Sequence, residues 1–323
     1  MRIEVIYLLS SFILTAILGK IFIPILKKLK VGQSEREDGP RTHLKKKGTP
    51  TMGGIMIILS IVVFTGISLI FFKDKETVMS LIGISLATIG FGVVGFLDDF
   101  KKVVLKNTEG LNPKLKMLGL LIISSLYTLF LVKYLNISTD IYIPFIKVNL
   151  LLPLWIYIPF TIFVMLSTTN AVNLTDGVDG LAGSVSAIMI TAISVMAIKL
   201  GVPEVSIFGA IVVGSTIGFL IYNFHKAKVI MGDTGSLLLG GALSSMAIYL
   251  KLPLIILVVA IIPILETLSV IMQVLYFRKT GKRLFRMSPL HHHFELTGWR
   301  ENKVVGIFSL VTLVGSVIGI LAI

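Results

Sequence analysis

Apolar runs of about 20 residues recur from one end of the sequence to the other, and they limit the possible folds more than any other feature. As an α-helix, a run of that length spans the ~30 Å hydrocarbon core of a bilayer. With 55% hydrophobic and only 15% charged residues, the 323-residue chain is also far more apolar than a soluble domain of its size. The sequence therefore predicts a polytopic membrane protein and not one large water-soluble core.

We expect an all-α protein with about ten transmembrane helices in a single integral membrane domain, residues 1–323. The predicted spans are 4–27, 52–72, 78–97, 115–135, 151–169, 181–200, 204–222, 235–250, 254–277 and 304–323. The eighth is short, which favours a helix with little tilt or one packed inside the bundle. The first run lacks a small-residue cleavage site, so we interpret it as a span and not a signal peptide. The chain has no cysteine, which rules out disulfides and thiolate metal ligands.

Lysine and arginine residues are concentrated in one set of alternating loops. Of the 30 basic residues, 22 lie in the segments 27–47, 101–116, 226–228 and 278–303, and 7 lie on the other side. Because basic residues in short loops are retained in the cytoplasm, this bias places both termini on the extracytoplasmic side. Most of these charges are explained by topology and by contacts with anionic lipid headgroups, and we expect no nucleic-acid partner.

Five aspartates in three segments lie close to span ends on the predicted cytoplasmic side, although charge beside lipid is costly. Asp98 and Asp99 end the third span, Asp176 and Asp179 lie in the loop 170–180, and Asp233 precedes the eighth span. Asp233 could simply cap a helix N-terminus. Asp98 and Asp99 lie instead at a helix C-terminal end, where the helix dipole disfavours negative charge. Carboxylate oxygens suit Mg²⁺ bound together with phosphate groups.

Three consecutive histidines, His291 to His293, form the most unusual string in the sequence. Neighbouring residues point in different directions, so a pocket for phosphate or nucleotide fits better than a zinc site. Two ionisable residues, Lys20 and Glu266, lie inside predicted spans, and charge within a membrane indicates function by default. The alternatives are that Lys20 reaches toward the headgroups and that Glu266 satisfies backbone groups freed by Pro263.

Five segments resemble one known family in the order in which they occur. They are "GTPTMGG", "GFLDDFKK", "NLTDGVDGLAG", "NFHKAKVIMGDTGSL" and "FRMSPLHHHFELTGW". Together they resemble the phospho-N-acetylmuramoyl-pentapeptide transferases (MraY) of the polyprenyl-phosphate N-acetylhexosamine-1-phosphate transferase superfamily. The aspartate motifs are shared across that superfamily, whereas "SPLHHHFELTGW" is much more specific to the muramoyl-pentapeptide branch. The resemblance covers nearly the whole chain.

The resemblance implies a bacterial inner-membrane enzyme, commonly a homodimer, with its active site at the cytoplasmic face. It implies transfer of phospho-MurNAc-pentapeptide from UDP-MurNAc-pentapeptide to undecaprenyl phosphate, with lipid I and UMP as products and Mg²⁺ required. The catalytic positions that it implies are Asp98, Asp99, Asp233, Lys116 and His291, with Asp233 as the magnesium ligand. The implied substrate-binding positions are Lys46, Thr51, Asn173, Asp176, Gly177, Asp179, Asn223, His292 and His293. Ile230 departs from the family pattern, because many members have a Phe there that can stack on uracil.

Two other functions fit parts of the sequence. A secondary transporter would place its ionisable groups near the bilayer midplane, on broken helices in repeated halves. Here the acids cluster at one surface, and the two halves show no repeat. A sister enzyme acting on UDP-GlcNAc would share the aspartate motifs, and only the resemblance carried by the histidine segment argues against it.

Overall fold

The computed structural model describes residues 3–28, 48–103 and 110–323, and nearly all of the regular structure in them is helical. The long helices are α1 (Ile3–Lys28), α2 (Gly54–Phe71), α3 (Lys75–Val103), α4 (Pro113–Leu129), α5 (Leu154–Thr175), α6 (Leu181–Leu200), α7 (Pro203–Asn223), α8 (Gly232–Tyr249), α10 (Ile261–Thr280) and α12 (Glu301–Leu321). The shorter elements are a π-helical turn (Phe130–Tyr134) continuing α4, strands β1 (Asp140–Ile143) and β2 (Val148–Leu151), a 3₁₀ turn (Pro253–Ile255), α9 (Ile256–Val259) and α11 (Leu290–Leu296).

Nine helices in the described part of the chain are long and apolar enough to cross a membrane. The remaining predicted span, the eighth, forms α8, whose glycine and serine residues lower its mean hydropathy below that of the other nine. Almost every side chain of α8 is buried, because α3, α5, α2 and α6 pack around it. The prediction that the eighth span packs inside the bundle is therefore confirmed.

Glycines let α8 approach its neighbours closely. A methyl group on Gly95 of α3 would overlap the backbone of Asp233 and Thr234, and one on Gly54 of α2 would overlap the backbone of Gly235. Small residues are the usual means by which membrane helices bring their backbones together. These contacts set the start of α8 directly against the C-terminal part of α3, where Asp98 and Asp99 lie.

The predicted span 254–277 is interrupted. A 3₁₀ turn and the four-residue α9 precede Ala260, whose ψ of 33° breaks the helical path before α10 begins at Ile261. Pro263 explains why α9 does not continue into α10. Proline lacks the N–H that would continue the earlier helix, and its ring crowds the carbonyl four residues back. The helix then extends to Thr280, beyond the predicted end.

The expectation of an all-α protein is wrong for residues 140–151, which form an antiparallel hairpin of β1 and β2. The hairpin docks on the end of α8 opposite Asp233, where Lys251 Nζ lies 2.7 Å from an Asp140 carboxylate oxygen and the Tyr142 N–H donates to the Lys251 carbonyl. Isoleucine, tyrosine and valine around a turn at Pro144 are a strand signal, but the apolar runs on either side conceal it.

Two helices extend further than predicted, toward the acidic residues. Helix α3 continues to Val103, so Asp98 and Asp99 lie more than one turn inside it. Helix α5 continues to Thr175, which places Asn173 on the last helical turn and not in the loop predicted at 170–180. The polar residues in these last turns interrupt the apolar pattern, although the helical backbone continues through them.

Candidate active site

Asp233 is the centre of the charged cluster, and two lysines converge on it. Its Oδ2 lies 2.7 Å from Lys116 Nζ and 3.2 Å from Lys102 Nζ. Lys116 reaches it from the first turn of α4, which starts at Pro113 because the Asn112 side chain caps it by accepting the Lys114 N–H at 2.9 Å. The cap thus fixes the position from which Lys116 extends.

Asp233 does not cap its own helix, contrary to one reading of the sequence. The first turn of α8 is capped from α3 instead, because Asp99 accepts the N–H of Asp233 at 3.2 Å and the N–H of Thr234 at 2.9 Å. The Thr234 hydroxyl also donates to Asp99, at 2.6 Å. Asp99 is buried and satisfied at the positive end of a helix dipole. Its carboxylate therefore fixes the start of α8 and, with it, the position of Asp233.

Asp98 faces the loop before α4 and one lysine. Its Oδ1 accepts the Leu111 N–H at 2.7 Å, and its Oδ2 pairs with Lys102 Nζ at 2.5 Å. Lys102 stands four residues after Asp98 on α3, the spacing at which helical side chains meet. Lys102 consequently bridges Asp98 and Asp233 with one positive charge.

The three carboxylates fit a divalent cation by the nature of their donors. Asp98, Asp99 and Asp233 each offer an oxygen, and these atoms lie within 4.8 Å of one another. Hard oxygen donors of this kind are those that Mg²⁺ uses, usually with one or two carboxylates and substrate phosphates. Because Asp99 already accepts three hydrogen bonds from α8, Asp98 and Asp233 are the better candidates for direct contact.

Asn173 ties α5 to the same point. Its amide donates to Asp233 Oδ1 and to Ser236 Oγ, both at 2.8 Å. Ser236 in turn donates to the Gly232 carbonyl in the first turn of α8. The two oxygens of Asp233 are therefore held from opposite sides, by an amide from α5 and by lysines from α3 and α4.

The Asp-Gly-Val-Asp-Gly loop leaves α5 directly beside this cluster. Asp176 is the residue at which α5 ends, and it is partly exposed. Asn223 holds the far end of the loop, because its side chain accepts the Gly180 N–H at 3.0 Å and donates to the Val229 carbonyl at 2.9 Å. The structure thus places Asn223 as a buried link between two loops.

Asp179 is mostly buried and also connects these two loops. Its Oδ2 accepts the Ala227 N–H at 3.0 Å and lies 3.7 Å from His225 Nδ1. His225 lies 3.6 Å from Glu301 as well. These contacts tie the loop 176–180 to the residues before α8 and to the start of α12.

The segment around Thr51 pairs with the residues before α8. Ile230 donates its N–H to the Pro50 carbonyl at 2.8 Å and accepts the Gly53 N–H at 2.9 Å. The Thr51 hydroxyl packs against Gly232, whose φ of 73° and close contact with Asp99 both require glycine. Lys46, the other residue predicted in this segment, lies outside the described residues.

The three histidines have different polar neighbours, although the rings of His291 and His292 are in edge contact, with centroids 4.1 Å apart. His291 is buried, and its ring lies against Gly177. The His292 Nδ1 lies 2.8 Å from Glu295, and the His293 Nδ1 accepts the Arg286 N–H at 3.2 Å. Each histidine therefore has a different protein neighbour, which agrees with the argument against one shared zinc ion.

Known proteins match this chain over almost its whole length. The model of glycosyl transferase family 4 matches residues 81–251, and the phospho-N-acetylmuramoyl-pentapeptide-transferase signature 1 matches residues 46–58. Among curated relatives, a phospho-N-acetylmuramoyl-pentapeptide-transferase of Halalkalibacterium halodurans is 47% identical over 99% of this chain and 97% of its own. Relatives of the same name from Clostridium botulinum and Bacillus subtilis are each 46% identical, over 98% and 97% of this chain and 95% of their own.

The chain belongs to the phospho-N-acetylmuramoyl-pentapeptide-transferase family. The resemblance that the motifs indicated is thereby confirmed. The motifs are far apart in the sequence but lie together at one end of the helix bundle, around the start of α8.

Sequence reasoning missed three residues of this cluster, and it missed the partner of a fourth, Glu266. Lys102 was counted only as a topology charge, although its i,i+4 spacing from Asp98 was a usable signal. Thr234 and Ser236 follow Asp233 within the motif, and they hold Asp99 and Asn173. Glu266 was noticed for its burial, but its partner His291 is 25 residues away, a distance that no local pattern can bridge.

Proposed function

We propose that this protein transfers phospho-MurNAc-pentapeptide from UDP-MurNAc-pentapeptide to undecaprenyl phosphate, giving lipid I and UMP, as a step of peptidoglycan synthesis. The observation that carries the proposal is the cluster of Asp98, Asp99 and Asp233 at one end of a membrane helix bundle, with two lysines against it. Acids for a cation and bases for phosphate are what a diphosphate donor and a phosphate acceptor require. The relatives' printed name agrees with this activity.

Mg²⁺ fits this chemistry as the cofactor. Asp233 would hold it, with Asp98 as the second carboxylate, and when bound it would neutralise charge on the donor diphosphate and on departing UMP. Lys102 and Lys116, which pair with these carboxylates, are close enough to neutralise phosphate oxygens as well. Asp99 and Asn173 keep Asp233 in place, from α3 and α5.

The loop 176–180 lies beside the cluster and is proposed to bind the uridine end of the donor. Asp176 offers a carboxylate for the hydroxyl or imide groups of uridine. Gly177 lets the nucleoside approach the backbone, and Asn223 with Asp179 holds the loop to the residues before α8. With Ile230 in place of Phe, the chain lacks one aromatic ring that could stack on uracil.

Direct attack by the lipid phosphate is the proposed reaction path. A phosphate monoester has a second pKa near ~6, so at neutral pH it is mostly a dianion and a competent nucleophile. A covalent path would instead bring an aspartate carboxylate against the anionic diphosphate of the donor, and Asp99 already accepts three hydrogen bonds from α8. Asp98 would orient the attacking phosphate or accept its last proton. Phosphoryl transfer depends mainly on such positioning and on charge stabilisation.

We also propose that the enzyme lies in the bacterial inner membrane as a homodimer, with the aspartate cluster facing the cytoplasm. Lys101, Lys102, Lys114 and Lys116 lie at the helix ends on this side of the bundle, and the donor and UMP are charged, water-soluble molecules. A cytoplasmic site would give them access while undecaprenyl phosphate enters from the bilayer.

Purified protein incubated with undecaprenyl phosphate, Mg²⁺ and either of two donors tests the proposal. Lipid-linked sugar should form from UDP-MurNAc-pentapeptide and not from UDP-GlcNAc. Product from UDP-GlcNAc alone would assign the chain to a sister activity. No product from either donor, with a protein that unfolds cooperatively, would contradict the proposed reaction.

A further inference from the structure

Glu266 is a buried acid for which the proposed reaction has no use. It lies on α10 with none of its side chain exposed, six residues into a membrane-spanning helix. A buried charge is costly unless it is paired or hydrogen-bonded. Its one close partner in the described part of the chain is His291, which is itself only 1% exposed.

Glu266 holds His291 at two points. Its Oε1 accepts the His291 backbone N–H at 3.2 Å, and the same oxygen lies 3.1 Å from the ring Nδ1. The His291 N–H belongs to the first turn of α11, whose preceding residue, Pro289, provides no side-chain cap. Glu266 therefore caps α11 from a different helix by a hydrogen bond to the backbone, while the same oxygen lies against the imidazole without hydrogen-bonding to it.

The opposite edge of the His291 ring lies against the loop 176–180. A methyl group on Gly177 would overlap Nε2, which is the ring atom nearest to it, followed by Cε1 and Cδ2. Nδ1 thus faces Glu266 while Nε2 faces the loop. The three residues form a continuous line from α10, through the imidazole, to the backbone beside Asp176.

We propose that Glu266 is a positioning residue for donor binding, which acts through His291 on the loop 176–180. The carboxylate fixes the start of α11 and with it the position of the imidazole packed between Glu266 and Gly177. That position sets how far Gly177 can move back from the nucleotide. This inference rests on the transfer reaction proposed above. The alternative from the sequence was that Glu266 satisfies backbone groups freed by Pro263. Its carboxylate instead contacts α11, and the proposal gives that contact a function.

Substitution of Glu266 by Leu and by Gln tests the proposal kinetically. Glu266→Leu removes both contacts and should raise the donor KM about tenfold or more, since a buried N–H is left unpaired. The KM for undecaprenyl phosphate should stay unchanged. Glu266→Gln keeps an oxygen that accepts the His291 N–H, so its donor KM should stay within about threefold of wild type.

Glu204→Leu is the matched control. Glu204 is also buried and hydrogen-bonded, by Tyr249 at 2.7 Å, but it lies at the opposite end of the bundle, near the start of α7. Its loss should lower the unfolding temperature without raising the donor KM. If both Leu variants raise the donor KM equally, or if Glu266→Leu leaves it unchanged, the positioning function is wrong.

A double-mutant cycle separates this inference from the proposed reaction. Gly177→Ala should lower the unfolding temperature because the locked ring cannot move away from the new methyl group. In a Glu266→Leu background the ring is released, so the added loss should be much smaller. Additive losses would overturn the inference, and that result does not depend on turnover. A wild-type protein without turnover would overturn only the proposed function.

Discussion

At the scale of single residues, the side chains of Asp233 and Asp99 are the same carboxylate but have different neighbours. Asp99 accepts hydrogen bonds from α8, whereas Asp233 faces lysines and an amide. Asp233→Asn should reduce turnover about 100-fold or more, because several kcal/mol of charge stabilisation at the metal is lost. Initial rates across a Mg²⁺ titration measure this, with Asp140→Asn as a control that should keep wild-type rates. Near-normal Mg²⁺-dependent activity of Asp233→Asn would contradict the assignment.

Asp176, in the loop proposed to bind the uridine end of the donor, belongs to the same scale. Removing one charged partner from a partly buried polar contact typically costs ~1–3 kcal/mol. Asp176→Ala should therefore weaken binding of the donor by about tenfold or more. Isothermal titration with the donor, without lipid, gives this affinity directly. An unchanged dissociation constant would remove Asp176 from the uridine site.

At the scale of elements, the contact between α3 and α8 brings the acids together. A methyl group on Gly95 would overlap the Asp233 backbone, so Gly95→Ala should push the helices apart. Overpacking of this kind costs about 1–3 kcal/mol, and we expect both a lower unfolding temperature and a lower rate. Gly66→Ala on α2 meets nothing within 4 Å and is the matched control. Equal unfolding temperatures for the two variants would contradict the close packing.

The same elements show how far sequence reasoning reaches. Hydropathy located the long helices, because a lipid environment imposes one length and one polarity on every span. It missed the hairpin 140–151 and the break at Ala260, which depend on contacts made after the chain folds. The motifs identified Asp233, but not that Asp99 caps its helix or that Lys102 joins it to Asp98. The first link joins residues on two different helices, and the second depends on the direction of the Lys102 side chain.

At the scale of the whole molecule, charge bias predicts which end faces the cytoplasm. The chain has no cysteine, so a single introduced thiol reports its own side of the membrane. Lys147→Cys, in the hairpin turn, should react with a membrane-impermeant maleimide in intact spheroplasts. Lys282→Cys, after α10, should react only once the membrane is permeabilised. The reverse pattern would invert the proposed orientation.

The central claim is that the chain transfers a phosphosugar and not a sugar alone, and the fate of the sugar-linked phosphate tests it most directly. We would label that phosphate of UDP-MurNAc-pentapeptide with ³²P and incubate it with purified enzyme, undecaprenyl phosphate and Mg²⁺. The account predicts that the label enters the organic phase with the lipid product while unlabelled UMP is released in equal amount. Recovery of the label in water as UDP would show that the sugar–phosphate bond breaks instead, and would contradict the account.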